Sequence, residues 1–182
     1  MKENPIKALD DLARSVGRYP AEAFVFLREG LTFAARKIHG PESDVYRAIQ
    51  EYLAEHQLTW NDVVAQYFAG TLPKPLGQWI DEAGGCQQLN RHISGRELCW
   101  GLRDYAQRRW GLLASTVLDS WNIRKTEDFG RIVFGFIAAD LMQKQPDDSL
   151  DDFRDVFSFA EAFDASFKTA ACTESENEDF RG

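Results

Sequence analysis

The residue types that commonly carry chemistry are few in this chain. Cys86, His92 and Cys99 form the only group of cysteine and histidine residues that lie close together in the sequence. A structural zinc site needs four such ligands, usually with paired spacing such as C-x-x-C, and this group lacks the fourth ligand and the pairing. We therefore predict no metal site and no cofactor, and interpret Cys99 as a buried thiol inside a helix.

His92 is the side chain best placed for acid or base catalysis, because it stands just before a capped helix. No serine, cysteine or pair of carboxylates lies at a recognisable motif spacing at which this histidine would activate it. The glycine-rich phosphate loops GxGxxG and GxxxxGK[ST] are also absent from the sequence. We assign no catalytic residue and expect His92 to hydrogen-bond to backbone at the start of the helix.

The acidic run from Asp147 to Asp152 invites comparison with a calcium-binding loop. With Asp147 at the first position, Asp152 stands where the loop needs its glycine and Ser158 stands where it needs its glutamate. The EF-hand pattern therefore fails. A solvated acidic turn is the better interpretation.

Arginines form the candidate binding surface. Arg96, Arg103, Arg108 and Arg109 lie on one predicted helix, and the last two occupy its final turn, where the helix dipole favours positive charge. Residues 91–144 carry nine basic and six acidic side chains, whereas residues 145–182 carry three basic and eleven acidic ones. We predict that the arginines, with His92 beside them, contact a protein partner or the acidic end of this chain or a second copy.

The helix that carries these arginines has the clearest boundaries in the chain. Ser94 and Glu97 form a capping box at its start, and Gly111 ends it. A short helix is predicted from about Leu112 to Trp121, and a third begins at Thr126, which serves as its cap. The apolar stripes of the three helices are Leu98, Leu102, Tyr105 and Ala106; Leu113, Val117 and Trp121; and Phe129, Ile132, Val133, Phe136, Ile137 and Leu141.

Further amphipathic helices are predicted along the first part of the chain. Residues 70–91 contain several prolines and glycines, so we predict a connection there with at most a short helix at 78–83. The helices before it lie at about 5–16, 21–39, 43–56 and 60–69.

The carboxyl end is less regular. Residues 153–159 fit an extended or irregular segment, and a last helix is predicted from about Phe159. The fold class is therefore all-α, with six to eight helices in a single domain over residues 1–172 and room for a short extended segment near its end. Residues 173–182 are predicted to be a disordered acidic tail.

A weak internal repeat relates the second predicted helix to the arginine helix. Five residues recur 71 positions later, which are Leu27, Gly30, Leu31, Ala35 and Gly40, matching Leu98, Gly101, Leu102, Ala106 and Gly111. Two helices that both end in glycine can produce such a match, so ancestral duplication is the less favoured explanation.

Composition restricts the class of protein. The 182-residue chain is 44% hydrophobic, which is enough for a buried core. No apolar run reaches the length of about 18 residues that a membrane span needs, and the first residues lack the apolar segment of a signal peptide. Three cysteines without a disulfide spacing suit a reducing compartment. We therefore expect a cytoplasmic protein without a membrane partner.

Four ordered segments carry a family resemblance. They are RYPAEAFVFLREGL from Arg18, HISGRELCWGLRDYA from His92, WNIRKTEDFGRIVFGFI from Trp121 and DDSLDDFRDVFSFAEAF from Asp147. Together they resemble a family of small conserved bacterial proteins, known mainly from planctomycetes and verrucomicrobia, to which no activity is assigned. Residues 41–90 are longer than that family's connection and are interpreted as an insertion, and Asn122 stands where the family has glycine.

Three functions follow in order of preference. A non-catalytic protein–protein interaction module agrees with the missing catalytic motifs and the segregated charge. A nucleic-acid-associated regulator with a helix-turn-helix-like core is second, because Glu127 and Asp128 would repel phosphate at the start of its recognition helix. An enzyme with a site near His92 is third, and no substrate class is assigned to it.

Overall fold

The computed structural model describes residues 5–146 and 148–163, and every regular element in them is helical. The all-α prediction is confirmed. The α-helices are α1 (Pro5–Val16), α2 (Ala21–His39), α3 (Asp44–His56), α4 (Trp60–Ala69), α5 (Lys74–Glu82), α6 (Cys86–Leu89), α7 (Gly95–Trp110), α8 (Ala114–Ser120), α9 (Thr126–Ala138) and α10 (Phe159–Phe163). Two 3-10 turns, Gly111–Leu113 and Leu150–Phe153, precede α8 and α10. Asp147 and the predicted acidic tail lie outside the described residues.

The chain divides into two compact units, each with its own apolar core. The second unit is Ala35–His92, and the first contains the residues before and after it. This boundary lies within a few residues of the segment that the sequence marks as an insertion. The core of the second unit consists of Ile49, Leu53, Val63, Leu72, Leu76, Ile80, Cys86 and Leu89.

The prediction for residues 70–91 was wrong, because this part of the chain is more helical than its prolines suggested. Helix α5 begins at Lys74, with Pro73 as its cap residue and Pro75 in its first turn. A proline in the first turn interrupts nothing, since the first N–H groups of a helix have no intrahelical acceptor. Leu76 and Ile80, four residues apart, are buried and hold α5 against the core.

Arg91 joins the two ends of the second unit. Its guanidinium donates to the carbonyl oxygens of Gly40 at 2.7 Å and Pro41 at 3.2 Å, just beyond the carboxyl end of α2. The same group lies 5.2 Å from the ring centre of Tyr46. Arg91 also donates to the carbonyl oxygen of His39, the last residue of α2, at 3.4 Å. Carbonyls at a helix end lack intrahelical donors and favour positive charge, so Arg91 stabilises this end.

Helix α9 is the centre of the first unit, as its apolar stripe predicts. Seven of its thirteen residues are buried, among them Phe129, Ile132 and Phe136. The ring of Phe136 meets that of Phe24 of α2 edge to face, with ring centres 5.5 Å apart. Such aromatic pairs contribute about 0.5–1.5 kcal/mol beyond the area they bury.

The boundaries of α7 also follow their sequence signals. The hydroxyl oxygen of Ser94 accepts from the amide of Glu97, and the Glu97 carboxylate accepts from the amide of Ser94 at 2.9 Å. Gly111 follows the last helical residue with a φ of 56°, a left-handed conformation that glycine adopts at little cost. The predicted capping box is confirmed.

Helices α2 and α7 approach each other at the two glycines of the internal repeat. A β-carbon built on Gly101 would lie 2.3 Å from that of Ala34, and one built on Gly30 would lie 2.4 Å from Leu102 Cδ2. Both distances are far below van der Waals contact. The repeat therefore marks a helix crossing at which each helix contributes a glycine to the contact.

Replacing Gly101 with alanine is expected to destabilise the protein by about 1–3 kcal/mol, because the new methyl group would clash with the β-carbon of Ala34. Gly77→Ala is the matched control. Nothing lies within 4 Å of its added methyl group, so the helix propensity of alanine should stabilise α5 by about 0.5–1 kcal/mol. Urea denaturation measures both changes, and equal effects would contradict the proposed close contact.

Candidate protein-binding groove

The predicted arginine surface is divided by the structure into two groups. On one side of α7, Arg103 bonds Asp104 through its Nε at 2.9 Å and covers the ring of Trp100, with 4.7 Å to the ring centre. Arg96 is exposed one helical turn before Trp100. Trp100 in turn packs against Phe157, with ring centres 4.7 Å apart.

The second group lies elsewhere around the helix. Arg109 bonds Glu29 and the hydroxyl of Tyr105, and Arg108 lies over the ring of Phe33 at 5.8 Å. Residues six apart, such as Arg103 and Arg109, are separated by about 120° around an axis with 3.6 residues per turn. The four arginines therefore do not form one basic face, and three of them already contact carboxylates or rings of the first unit.

His92 belongs to the second unit, and backbone bonds hold it there. Its amide donates to Asn90 Oδ1 at 3.0 Å, and its carbonyl lies 3.1 Å from the imidazole Nε2 of His39. Of the two cysteines near it in sequence, Cys99 is fully buried and Cys86 almost so. Burial raises the pKa of the Cys99 thiol to about 12, which is the inert buried thiol that the sequence predicts.

The first unit contains a buried carboxylate, Asp128, which is fully inaccessible to solvent. The hydroxyl of Tyr19 donates to its Oδ1 at 2.7 Å, and Arg131 and Arg18 lie 2.8 and 3.2 Å from the same oxygen. The other oxygen accepts from the amides of Arg124 at 2.9 Å and Lys125 at 3.2 Å. Both oxygens of the carboxylate are thus saturated with donors.

These contacts explain the titration of the cluster. Burial acts to raise the pKa of Asp128, but the bonds from the Arg124 amide and the Tyr19 hydroxyl, with the charge of Arg18, outweigh it and lower this pKa. Burial and the bond to Asp128 raise the pKa of Tyr19 to about 12. Asp128 is therefore ionised and Tyr19 neutral across the physiological range, so the pair holds the structure together and is not available for proton transfer.

The start of α9 differs from the prediction. Thr126 was predicted to cap the helix, yet it is the first helical residue and is buried. Its hydroxyl accepts instead from the amide of Val156 at 3.2 Å, and Asp128 supplies the bonds to the preceding backbone. The sequence shows both residue types but not that both are buried, nor which of them bonds the backbone before α9.

Phe153 anchors the segment that leads into α10. The ring lies in a slot where β-carbons built on Gly95 and on Gly130 would each come within 2.7 Å of it. Val156, three residues later, is held by Thr126. Two helices therefore fix the path of the chain immediately before α10.

A groove of about 570 Å³ lies between α8 and α10. Ile123 and Arg124, which follow α8, form part of its lining, and the amide of Arg124 is one of the donors to Asp128. At the rim, the Arg124 guanidinium bonds Asp119 at 2.6 Å, and both side chains are more than half exposed. The other lining residues are Leu112, Ser115, Phe159, Ala160 and Phe163.

The α8 side of the groove shows a second difference from the prediction. Leu113, Val117 and Trp121 were expected to form the buried stripe, but Ala114 and Leu118 are the fully buried residues. The 3-10 turn after Gly111 shifts the register, so Leu112 and Leu113 are 74% and 64% exposed. The periodicity of apolar residues does not reveal this shift. Two leucines directly after a helix-ending glycine are the feature of the sequence that could have indicated it.

Helix α10 forms the other wall and is fixed to the body of the first unit. Gln107 of α7 donates its side-chain amide to the carbonyl of Ala162 at 2.7 Å. The ring of Phe159 lies 5.8 Å from that of Phe129 and meets that of Phe163 edge to face at 5.2 Å. The predicted helix start at Phe159 is confirmed, and the five-residue helix has enough contacts to form a wall of the groove.

Asn122 has a φ of 60°. Glycine adopts this left-handed conformation freely, and asparagine is among the few other residues that tolerate it. Its side-chain amide also donates to the carbonyl of Arg18 at 3.3 Å. Asparagine therefore meets the backbone requirement that a glycine would meet here.

Comparisons of the chain with family models, with curated proteins and with solved structures gave no significant match. Within the described ranges, no helix is long and apolar enough to cross a bilayer. The same residues contain no group of three or more histidine, cysteine or acidic side chains that would hold a metal ion. The role of the groove is therefore argued from its own geometry.

Asp128→Asn is expected to destabilise the protein by about 3 kcal/mol, because it removes a buried charge from its partners and turns an amide N–H toward other donors. Tyr19→Phe is the smaller matched change, since it removes one bond to the same carboxylate, at a cost of about 1–2 kcal/mol. Urea denaturation at neutral pH gives both values. A cost for Asp128→Asn no greater than that for Tyr19→Phe would contradict the saturated-carboxylate account.

The effect of Asp128→Asn on stability should also depend on pH. Because folding lowers the pKa of Asp128, its contribution to stability is fully present above the unfolded value of about 3.9 and is lost as the pH falls through the lower folded value. The difference in stability between wild type and Asp128→Asn should therefore shrink below about pH 4. A difference that stays constant through this range would show that the charge of Asp128 contributes nothing.

Proposed function

We propose that this protein is a non-catalytic cytoplasmic interaction module that binds an amphipathic helix of a partner protein in the groove between α8 and α10. The observation that carries the proposal is Leu112, which lines this groove and is 74% exposed, with Leu113 next to it in the chain 64% exposed. Large apolar side chains clustered beside an apolar cavity commonly mark a protein-binding surface.

The lining favours a helix as the bound element. Leu112, Phe159 and Ala160 give the groove accessible apolar surface, and amphipathic helices bind such grooves through residues at i, i+3 or i+4, and i+7. The exposed pair of Asp119 and Arg124 at the rim adds one charge of each sign. A partner helix with an acid and a base flanking its apolar stripe would match this rim.

The structure favours this role over nucleic-acid binding. The third helix of the helix-turn-helix-like arrangement, α9, has Phe129, Ile132 and Phe136 buried in the core. Arg103 and Arg109 are engaged by Asp104 and Glu29. A recognition helix needs an exposed polar face, and a phosphate-binding surface needs available positive charge.

Two sequence-based expectations belong to the same proposal. Membership in the planctomycete and verrucomicrobial family rests on the four ordered segments, and the left-handed backbone at Asn122 agrees with the glycine expected there. A cytoplasmic location agrees with the free thiols of Cys86 and Cys99.

The test uses a phage-displayed library of 16-residue amphipathic helical peptides, selected on the full chain. Leu112→Asp is expected to weaken binding of the selected peptides by about 10–100-fold, because a buried leucine contributes roughly 1.5–3 kcal/mol and each 1.4 kcal/mol is tenfold. Since Leu112 is largely exposed, the variant should fold as wild type. Isothermal titration calorimetry measures the affinities.

Leu141→Asp provides the control, since Leu141 is 52% exposed and is not among the groove residues. It makes the same change of charge and hydrophobicity at another site and should leave the affinities unchanged. Selected peptides that bind both variants as tightly as wild type would refute the groove as the binding site.

A further inference from the structure

We propose that the second unit binds a small molecule with a phosphate group and an ammonium group, in a cavity between the end of α2 and the start of α3. The cavity has a volume of about 460 Å³ and is lined by Arg36, Pro41, Glu42 and Arg47, which all belong to this unit. None of them lines the groove between α8 and α10, so the site does not depend on the proposed function.

The size and charge of the cavity match such a ligand. Sites for small molecules measure about 300–1,000 Å³, and this cavity lies within that range. Its lining has two guanidinium groups, from Arg36 and Arg47, and one carboxylate, from Glu42, which leave one net positive charge. A phosphate monoester carries a charge of about −1.5 to −2 at neutral pH, and an ammonium group of the same molecule reduces that charge by one.

Each charged group of the lining has a defined role. The planar guanidinium of arginine donates two parallel hydrogen bonds to a pair of phosphate oxygens, so Arg36 and Arg47 hold the phosphate. Glu42 repels a bare phosphate but attracts an ammonium group. The carboxylate therefore selects a ligand that has both groups over a simple anion.

The side chains that hold the ligand are available. Arg36, Glu42 and Arg47 are all exposed. Among the described residues, the side chains of Arg36 and Glu42 form no hydrogen bond or ion pair. Arg47 pairs with Asp44, but these two side chains are 62% and 92% exposed. Because exposed ion pairs are weak, a phosphate can replace Asp44 as the partner of Arg47.

The backbone beside the cavity is already in place. Arg91 donates to the carbonyl oxygen of Pro41 at 3.2 Å, and the hydroxyl of Ser43 accepts from the amide of Tyr46 at 3.1 Å at the start of α3. Glu42 stands between Pro41 and Ser43, so its backbone is held on both sides. A ligand therefore does not have to order this connection when it binds, which lowers the cost of binding.

The test uses phosphoethanolamine as the probe and inorganic phosphate for comparison. Each is titrated into the isotope-labelled full chain at constant ionic strength and followed by two-dimensional NMR. The amide signals of Glu42 and Arg47 are expected to shift to saturation with both compounds. Phosphoethanolamine should bind about fivefold more tightly, which is the upper end of what one exposed ion pair contributes.

Two variants separate the roles of the charges. Arg36→Gln should weaken the binding of both compounds about fivefold, because each loses a guanidinium partner. Glu42→Gln should act in opposite directions. It should weaken phosphoethanolamine, whose ammonium group loses its partner, and strengthen inorganic phosphate, which is no longer repelled.

Matched controls come from the same two helices. Arg28 of α2 and Glu51 of α3 are exposed and do not line the cavity, so Arg28→Gln and Glu51→Gln should leave both affinities unchanged. Thermal unfolding of all four variants checks that the substitutions do not disturb the fold.

Three results would overturn the inference. The first is the absence of a saturable shift at Glu42 and Arg47 with phosphoethanolamine. The second is a change in the same direction for both compounds in Glu42→Gln. The third is cosedimentation of the chain with vesicles of phosphatidylethanolamine and phosphatidylcholine without binding of the free compound, which would identify a lipid headgroup as the ligand.

Discussion

The first unit depends on one constraint, which is that the ionised carboxylate of Asp128 is fully buried and must be surrounded by donors. A buried charge without partners costs several kcal/mol, so the folded chain has to bring those donors together. They come from three places, which are Arg18 and Tyr19 before α2, Arg131 within α9, and the backbone between α8 and α9. The two carboxylate oxygens of Asp128 therefore fix segments that lie far apart in the sequence, and the core helices pack around them.

The groove is a consequence of this arrangement. The backbone amide of Arg124 is bound by Asp128, and the side chains of Ile123 and Arg124 line the groove. On the opposite wall, Thr126 and the Phe153 slot direct the chain into α10. The polar contacts of Asp128 thus hold the framework on which the groove is built.

Local signals in the sequence predicted the helices well where the energetics are local. The capping box of Ser94 and Glu97 and the glycine at 111 depend only on near neighbours, and both are confirmed. The groove depends on contacts between distant elements. Neither the inward turn of Asp128 nor the exposure of Leu112 and Leu113 follows from spacing. A 3-10 turn decides the exposure of the leucines, and Asp128 turns toward Tyr19, which lies 109 residues away in the sequence. The arginines show the same limit, because their partners Glu29 and Phe33 lie on another helix.

In the proposed function, the groove is a preformed binding site on a rigid frame. The most direct measurement is a crystal structure of the full chain bound to one of the selected helical peptides. The proposed function predicts a peptide helix between α8 and α10, with its apolar side chains against Leu112, Phe159 and Ala160 and with Asp128 and its donors unmoved. A peptide bound elsewhere, for example on the exposed rings of Phe68 or Trp79 in the second unit, would contradict it.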